Sequence, residues 1–467
     1  MRRPALVLTL WLGLAATPIG ARVVAAQVPR RARLGAAIDS IALAPIRAGK
    51  VAGMSVAVVR GRDTIRMRGY GFADLEFDVP TPDRAIYEIG SVTKQFTAAA
   101  ILQLVERGLV RLDADVTEYL PGYPSHGARI SIRQLLNHTS GIHNYTDIPS
   151  IHVLMRQQLP RDSIVAVFKE LPLDFPPGDR LSYTNSAFFL LGMVIERVTG
   201  RPYAEYVRDS LFHRAGMADS RYCSENAVVR RRAHGYDMDS TGLVRAAYLD
   251  QVWPFSAGSL CSTVGDLVAW TRALHHGGIL GPAAYRELIT PDTLNDGTRL
   301  RYAKGLAVAE AGGHLVIGHG GAINGFLSEL RYYPEADLTI VVLMNTLGPV
   351  GPGSVVTAIA DRILPPRPPA PRALDVAPQL LAGTYRGSGP DSQTVVTIAG
   401  DSLGLTARVD TGAVDRLTYL GDLKFADGRT VYRFARVGDA ITAVRRDAVY
   451  ANAEFRREGA MAQPARP

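Results

Sequence analysis

The strongest constraint on how this chain can fold is where its two hydrophobic periods lie. "GMSVAVVRGRDTIRMRGYG" (53–71) alternates apolar and polar residues around Gly61 and predicts a strand pair. Strand patterns return far downstream, in "HLVIGHGG" (314–321), "GFLSELRYYP" (325–334) and "LTIVVLMN" (338–345). In between the period is helical. One run starts at Val92, places Phe96, Ala100, Leu102, Leu104 and Val105, and stops at Gly108; others fall at 131–138, 185–200, 202–216 and 263–276. Strands from both ends must therefore build one sheet with the helical middle packed on it, an α/β or α+β body.

At 467 residues the chain exceeds what one hydrophobic core organises. "LPPRPPAPRALDVAPQ" (364–379) is a proline-rich break of the kind that links domains, placed as a linker over 365–379. Beyond it, short strand-like runs at turn spacing predict a small antiparallel β-domain over 380–458, with no motif that carries chemistry. At the other end, Arg2 and Arg3 precede the apolar run "ALVLTLWLGLAA" and a small-residue site at Val24-Ala25-Ala26, which predicts an export signal over residues 1–26. That run is shorter than the ~20 apolar residues that span a bilayer. The expected location is periplasmic or secreted, with no stable membrane span once the signal is removed.

The formal charge of +8 includes Arg2, Arg3 and Arg22 of the expected leader. The other arginines are scattered among Asp and Glu, so the basicity reads as a solvated surface and not as a nucleic-acid site. Cys223 and Cys261 are the only cysteines. An exported chain meets an oxidising compartment, so the expectation is a disulfide between them.

Only five of the 52 basic residues are lysines, and one, Lys94, follows Ser91 by three positions in "YEIGSVTKQFTAAA" (87–100). Ser91 falls where a strand-like stretch gives way to a helix, and Lys94 at i+3 projects from the same face. A serine needs a base to become a nucleophile, and a buried ammonium can lose its proton where a guanidinium cannot. A capping serine beside an exposed lysine would give the same local pattern. Two further elements add weight: Tyr183 and Asn185 just ahead of a helix in "LSYTNSAFF", and His319, Gly320 and Gly321 at a strand end in "IGHGGAINGF". Singly these read as a core tyrosine, a helix cap and a glycine turn; together they form an ordered set. His138, Thr139 and Ser140 look like triad material, but a turn following a helix explains them.

Over about residues 35–364 the chain resembles the serine β-lactamase and penicillin-binding-protein-like superfamily, in the branch of class C β-lactamases, DD-carboxypeptidases, esterases and D-aminopeptidases. The resemblance rests on "YEIGSVTKQFTA", "ISIRQLLNHTSGI" (130–142), "YTNSAFFLLGMVIE" and "AGSLCSTVGDLVAW" (257–270). It implies a β-lactamase-like transpeptidase fold: an antiparallel sheet with a helical region and the active site between them. It also implies Ser91 as acylated nucleophile, Lys94 as its proton partner, Tyr183 as proton relay and Asn185 as orienter of substrate amide or Lys94. The oxyanion would meet the N–H groups of Ser91 and Ala322, beside Gly321, and no metal or organic cofactor is required. His319 stands where the β-lactamase pattern has a lysine. At its ordinary pKa of about 6.5 it is mostly neutral at pH 7 and lacks the fixed charge that meets a substrate carboxylate. The expected function is therefore an exported serine hydrolase acting on a small-molecule or peptide ester or amide, of esterase or D-amino-acid peptidase type. The alternatives are a true β-lactamase or DD-carboxypeptidase, and a slowly acylating penicillin-binding sensor.

Overall fold

The computed structural model describes residues 19–124, 126–367, 372–388, 391–401, 404–428 and 430–459. Most of the expected leader lies outside them; residues 19–26 begin helix α1 (Ile19–Arg47). The body is built on an antiparallel sheet of seven strands: β1 (Gly53–Arg60), β2 (Asp63–Asp74), β3 (Val79–Pro80), β4 (Ala307–Ala311), β5 (His314–Ile323), β6 (Phe326–Tyr333) and β7 (Leu338–Met344). Their spatial order is β3-β2-β1-β7-β6-β5-β4. The two ends of the body meet at its centre, where β1 pairs with β7 from Met54 opposite Met344 to Arg60 opposite Leu338.

Both faces of β7 are covered, so it reads as a nearly continuous apolar run, interrupted only by Thr339. Ile340, Val342 and Met344 pack with α1 and with α5 (Pro352–Ile363), while Val341 and Leu343 turn to the helical region. The helical region includes α2 (Thr93–Glu106), α3 (Asn185–Thr199) and α4 (Val264–His275), of which α2 and α3 begin at the site. Every residue of α2 from Thr93 to Leu104 is buried, so this helix runs through the core and not along its surface. The helix expected over 202–216 runs from Tyr203 to Ala215, with a π-helical turn at Arg208–Phe212 inside it. The widened turn keeps Leu211 and Phe212 inside the core.

After α5 the described residues have no regular element until the short helix Pro378–Leu381. Eight strands then close an antiparallel barrel: β8 (Gly383–Gly387), β9 (Val395–Asp401), β10 (Gly404–Val409), β11 (Val414–Gly421), β12 (Lys424–Ala426), β13 (Val431–Val437), β14 (Ala440–Asp447) and β15 (Asn452–Arg457). Closure leaves no open edge, and the barrel has its own core around Tyr385, Ile398, Phe425, Tyr432 and Phe455. In the body, Cys223 and Cys261 are disulfide-bonded, with Cα atoms 5.3 Å apart. The bond ties together strand ends of a small sheet made by Tyr87–Glu88, Leu260–Ser262 and Arg221–Tyr222. Among the described residues no helix is long and apolar enough to cross a membrane.

Candidate active site

The small sheet delivers the chain to Ser91. Ile89 donates its N–H to Leu260 O at 2.9 Å, and a single 3-10 turn, Gly90–Val92, leads into α2. Gly90 has φ +49°, and a Cβ on it would stand 2.9 to 3.0 Å from backbone atoms of Ala322. Glycine therefore lets the turn and β5 approach each other. One turn on, Lys94 is 0% exposed. Its Nζ donates to Asn185 Oδ1 at 2.8 Å, Ala257 O at 2.9 Å and Ser91 Oγ at 3.1 Å. None of these is a carboxylate, and burial pushes the ammonium well below its ordinary pKa. Once deprotonated, the amine has a lone pair facing the Ser91 hydroxyl, so the pair can exchange a proton.

Asn185 opens α3 and is locked from three sides. Its N–H donates to Asn144 Oδ1 at 3.0 Å, its Nδ2 donates to Thr146 Oγ1 at 3.1 Å, and its Oδ1 faces Lys94. In this resting arrangement it orients Lys94, one of the two roles the resemblance implied. Tyr183 lies with its ring centroid 4.7 Å from Lys94 Nζ. Its hydroxyl is buried and faces Ser91 without a fully formed hydrogen bond. Burial holds the phenol well above its ordinary pKa, so Tyr183 carries its proton at rest and Lys94 is the better base.

The ladder of β5 sets which of its amides face the Ser91 turn. Ile323 pairs with Phe326 across a two-residue turn, so N–H groups of alternate residues, Gly318, Gly320 and Ala322, point away from β6. β4 pairs with β5 only as far as Gly318. The Gly320 N–H reaches Tyr450 Oη at 3.5 Å, and the Ala322 N–H faces the Ser91 turn. Gly321 is in contact with that turn: a Cβ there would meet Ile89 O at 2.2 Å and Ser91 N at 3.1 Å. The sheet edge is thus open where a carbonyl oxygen could sit between the two amides.

His319 lines this edge but turns inward. It is 3% exposed; Nδ1–H donates to Gly320 O, which makes Nε2 the acceptor for the Tyr302 hydroxyl at 3.0 Å. Burial, with Lys94 nearby, lowers its pKa to about 3. It is neutral, as expected from its replacement of a lysine. The structure corrects two parts of that expectation: the titration falls far below 6.5, and both ring nitrogens have partners inside the protein, so neither nitrogen is free for a substrate. Tyr450, from the β14–β15 turn of the barrel, stands against it with ring centroids 5.4 Å apart. Tyr302 and Tyr450 are absent from the sequence-based site. A tyrosine in a hairpin turn carries no local signal of what it touches, and Tyr450 meets a strand 130 residues away.

His138, in the turn after the short helix Ile132–Leu136, is buried with φ +60°. It does not reach Ser91 as a triad member would; it packs on the Tyr183 ring, centroids 4.3 Å apart. Ser91, Asn185 and Ala322 lie between two pockets. One of about 270 Å³ is walled by Tyr145, Met155, Leu249, Trp253 and Ile323. The other, about 620 Å³, is walled by Tyr183, His319, Gly320, Glu329 and Tyr450. Among the described residues no group of three or more His, Cys, Asp or Glu could hold a metal ion.

A sheet closed from both chain ends, with a central buried helix meeting its edge at Ser91, is the architecture of the β-lactamase and penicillin-binding-protein-like serine hydrolases. The chain belongs to the Beta-lactamase family, whose model matches residues 38–362. It is 27% identical over 435 residues to a D-aminopeptidase of Gluconobacter oxydans (strain 621H), covering 92% of this chain and 77% of that protein. Penicillin-binding protein 4* of Bacillus subtilis (strain 168) is 27% identical over 312 residues, 62% of this chain and 67% of that one. Among solved structures, the D-amino acid amidase from Ochrobactrum anthropi SV3 complexed with D-phenylalanine has a TM-score of 0.64 at 25% identity. It covers 72% of this chain and 100% of that one.

Proposed function

We propose that this chain is an exported serine hydrolase that cleaves amide or ester bonds of D-amino-acid substrates through an acyl-enzyme on Ser91. The observation that carries the reading is the uncharged setting of Lys94, buried against three neutral acceptors of which Ser91 Oγ is one. Lys94 takes the Ser91 proton as Oγ attacks the substrate carbonyl, and the oxyanion is held by the amides of Ser91 and Ala322. Tyr183 gives its proton to the leaving nitrogen or oxygen as the C–N or C–O bond breaks, and recovers one from Lys94. Water then attacks the acyl group, its proton passing back through Tyr183, and the acid is released with Ser91 restored. Because Tyr183 serves the leaving group, the leaving group lies in the pocket with His319 and Tyr450, and the acyl side chain in the pocket walled by Trp253 and Met155.

Two features support an amide or ester substrate over a β-lactam: His319 supplies no cation for a carboxylate, and Tyr450 stands across that end of the cleft. The names of the D-aminopeptidase and D-amino acid amidase relatives support the D configuration, and the leader-like residues 1–26 support export. A panel of D- and L-amino-acid p-nitroanilides, a short-chain p-nitrophenyl ester and nitrocefin tests the reading. D-anilides turned over at least tenfold faster than L-anilides, with nitrocefin slower than both the D-anilide and the ester, is the expected outcome. Nitrocefin as the best substrate would promote the β-lactamase reading, and labelling of Ser91 without turnover the sensor reading. Amino-terminal sequencing of protein from the periplasm or medium, expected to start after Ala26, tests export.

A further inference from the structure

The stretch that carries Tyr183 is held from both sides, and one side is not part of the hydrolase body. Four consecutive N–H groups alternate between two holders. Leu181 donates to Asn452 Oδ1 at 2.8 Å and Tyr183 to Tyr450 O at 3.2 Å, both in the barrel. Ser182 donates to His138 O at 3.0 Å and Thr184 to His138 Nδ1 at 3.2 Å. Asn452 also donates its own N–H to Leu181 O at 3.1 Å, and Ser182 and Ala451 form an antiparallel bridge. Residues 181–183 thus add as a short strand to the turn between β14 and β15, and His138 seals the opposite edge while its ring packs on that of Tyr183. Asn452 is 5% exposed, so water does not replace its oxygen if it is removed, and a buried amide without a partner is strongly disfavoured.

We infer that Asn452 of the barrel is a positioning residue for Tyr183, so that the barrel completes the catalytic site of the body. The inference rests on the proton-relay role given to Tyr183 above. Without the Asn452 oxygen, the Leu181 N–H has no acceptor, the 181–183 strand keeps only the Tyr183 N–H and Asn452 N–H bonds to the turn, and the Tyr183 hydroxyl is held less closely beside Ser91. The consequence depends on the leaving group. An amide nitrogen must be protonated as it departs, whereas p-nitrophenolate departs without a proton.

The test compares Asn452→Ala, Asn452→Asp and Tyr183→Phe, with Arg416→Ala on the exposed barrel surface as control. The readouts are turnover of a D-amino-acid amide and the acylation burst from the p-nitrophenyl ester of the same acyl group. Thermal melts and circular dichroism confirm a folded chain, and Asn452→Ser replaces the Ala variant if that variant does not fold. Asn452→Ala is expected to lower kcat on the amide by tenfold or more with the ester burst rate within threefold. Asn452→Asp, which keeps an acceptor at the same reach, should recover the amide rate to within threefold of wild type. If Tyr183→Phe shows the amide-selective loss and Asn452→Ala does not, or if Asn452→Ala slows amide and ester equally, the positioning role is overturned. If Tyr183→Phe itself does not distinguish amide from ester, the proton-relay reading fails instead.

Discussion

Gly320 and Gly321 are neighbours on β5, yet replacing each by alanine should have opposite results. A Cβ on Gly321 would stand 2.2 Å from Ile89 O and 2.3 Å from Ser328 Oγ, where real Cβ atoms keep 3.0 Å or more. The Ile89 carbonyl must then retreat by about 0.8 Å, against hydrogen bonds it accepts from Ser328 Oγ at 2.8 Å and the Val92 N–H at 3.2 Å. Ile89 is two residues before Ser91, so the turn carrying the proposed nucleophile and one proposed oxyanion donor moves with it. A misplacement of roughly 1 Å costs about 10²-fold, similar to losing one oxyanion donor. Gly321→Ala should therefore lower kcat/KM by about 10²-fold, roughly 2.7 kcal/mol of transition-state stabilisation. On Gly320 a Cβ would come within 3.0 Å only of Glu329 Oε2, at 2.9 Å, the carboxylate oxygen of a side chain that lines the cleft and whose Oε1 accepts from Arg331 Nε, so a shift of about 0.1 Å relieves it. Gly320→Ala should stay within about threefold. The assay is kcat/KM on a p-nitrophenyl ester with active sites counted by a fluorophosphonate probe and folding checked by circular dichroism. A folded Gly321→Ala enzyme within threefold of wild type, or a Gly320→Ala enzyme as impaired as its neighbour, would refute the reasoning.

Lys94→Arg keeps a charge but removes the dissociable proton, so acylation should fall by about 10²- to 10⁴-fold, as for Lys94→Ala; an Arg variant keeping more than a tenth of wild-type kcat would point to a purely electrostatic role. His275 and His319 are buried with pKa values lowered to about 3, and His138 is lowered as well, in each case chiefly by burial. The unfolded state binds these protons near pH 6.5, so stability is complete above that value and is lost as pH falls toward 3, with each histidine contributing up to about 1.4 kcal/mol per pH unit. Urea titrations between pH 6.5 and 4 should show that slope, and a flat profile would contradict the buried neutral histidines. The Cys223–Cys261 bond closes a separation of 38 residues, which in the chain-entropy model stabilises by roughly 4 kcal/mol. Replacing both cysteines by alanine should lower the denaturation midpoint accordingly, and an unchanged midpoint would show that the unfolded chain is already restricted there.

Much of the body was legible in sequence because it depends on local period. Alternation at 53–71 and the strand-like runs that return over 314–345 mark the central strands, and the helical run from Val92 marks α2. The Ser91–Lys94 spacing is three residues on one helix start, so the helix itself brings the two together. Tyr183 and Asn185 were legible as neighbours at the entry of α3, although Tyr183 lies in the extended stretch ahead of the helix and Asn185 is its first residue. The inward turn of His319 was not legible, because it depends on the Tyr302 hydroxyl and on the Gly320 carbonyl next to it. The π-helical turn inside the 202–216 helix was hidden for a related reason, since such a turn changes which residues face the core without changing their composition.

The sequence by itself determined which faces must be buried, which residue types could exchange protons, and that more than one core would form. Tertiary structure alone decided what lies against those faces. Lys94 meets Asn185 and Ala257 from positions 91 and 163 residues away, and Asn452 meets Leu181 across 271. A hydrophobic period is set by bond geometry within a few residues, whereas contacts at such separations depend on how whole packed surfaces close on one another. A tyrosine at the tip of a barrel hairpin has the same local pattern in water as against His319. Only the docking of the barrel on the sheet edge brings Tyr450 and Asn452 to the catalytic segment.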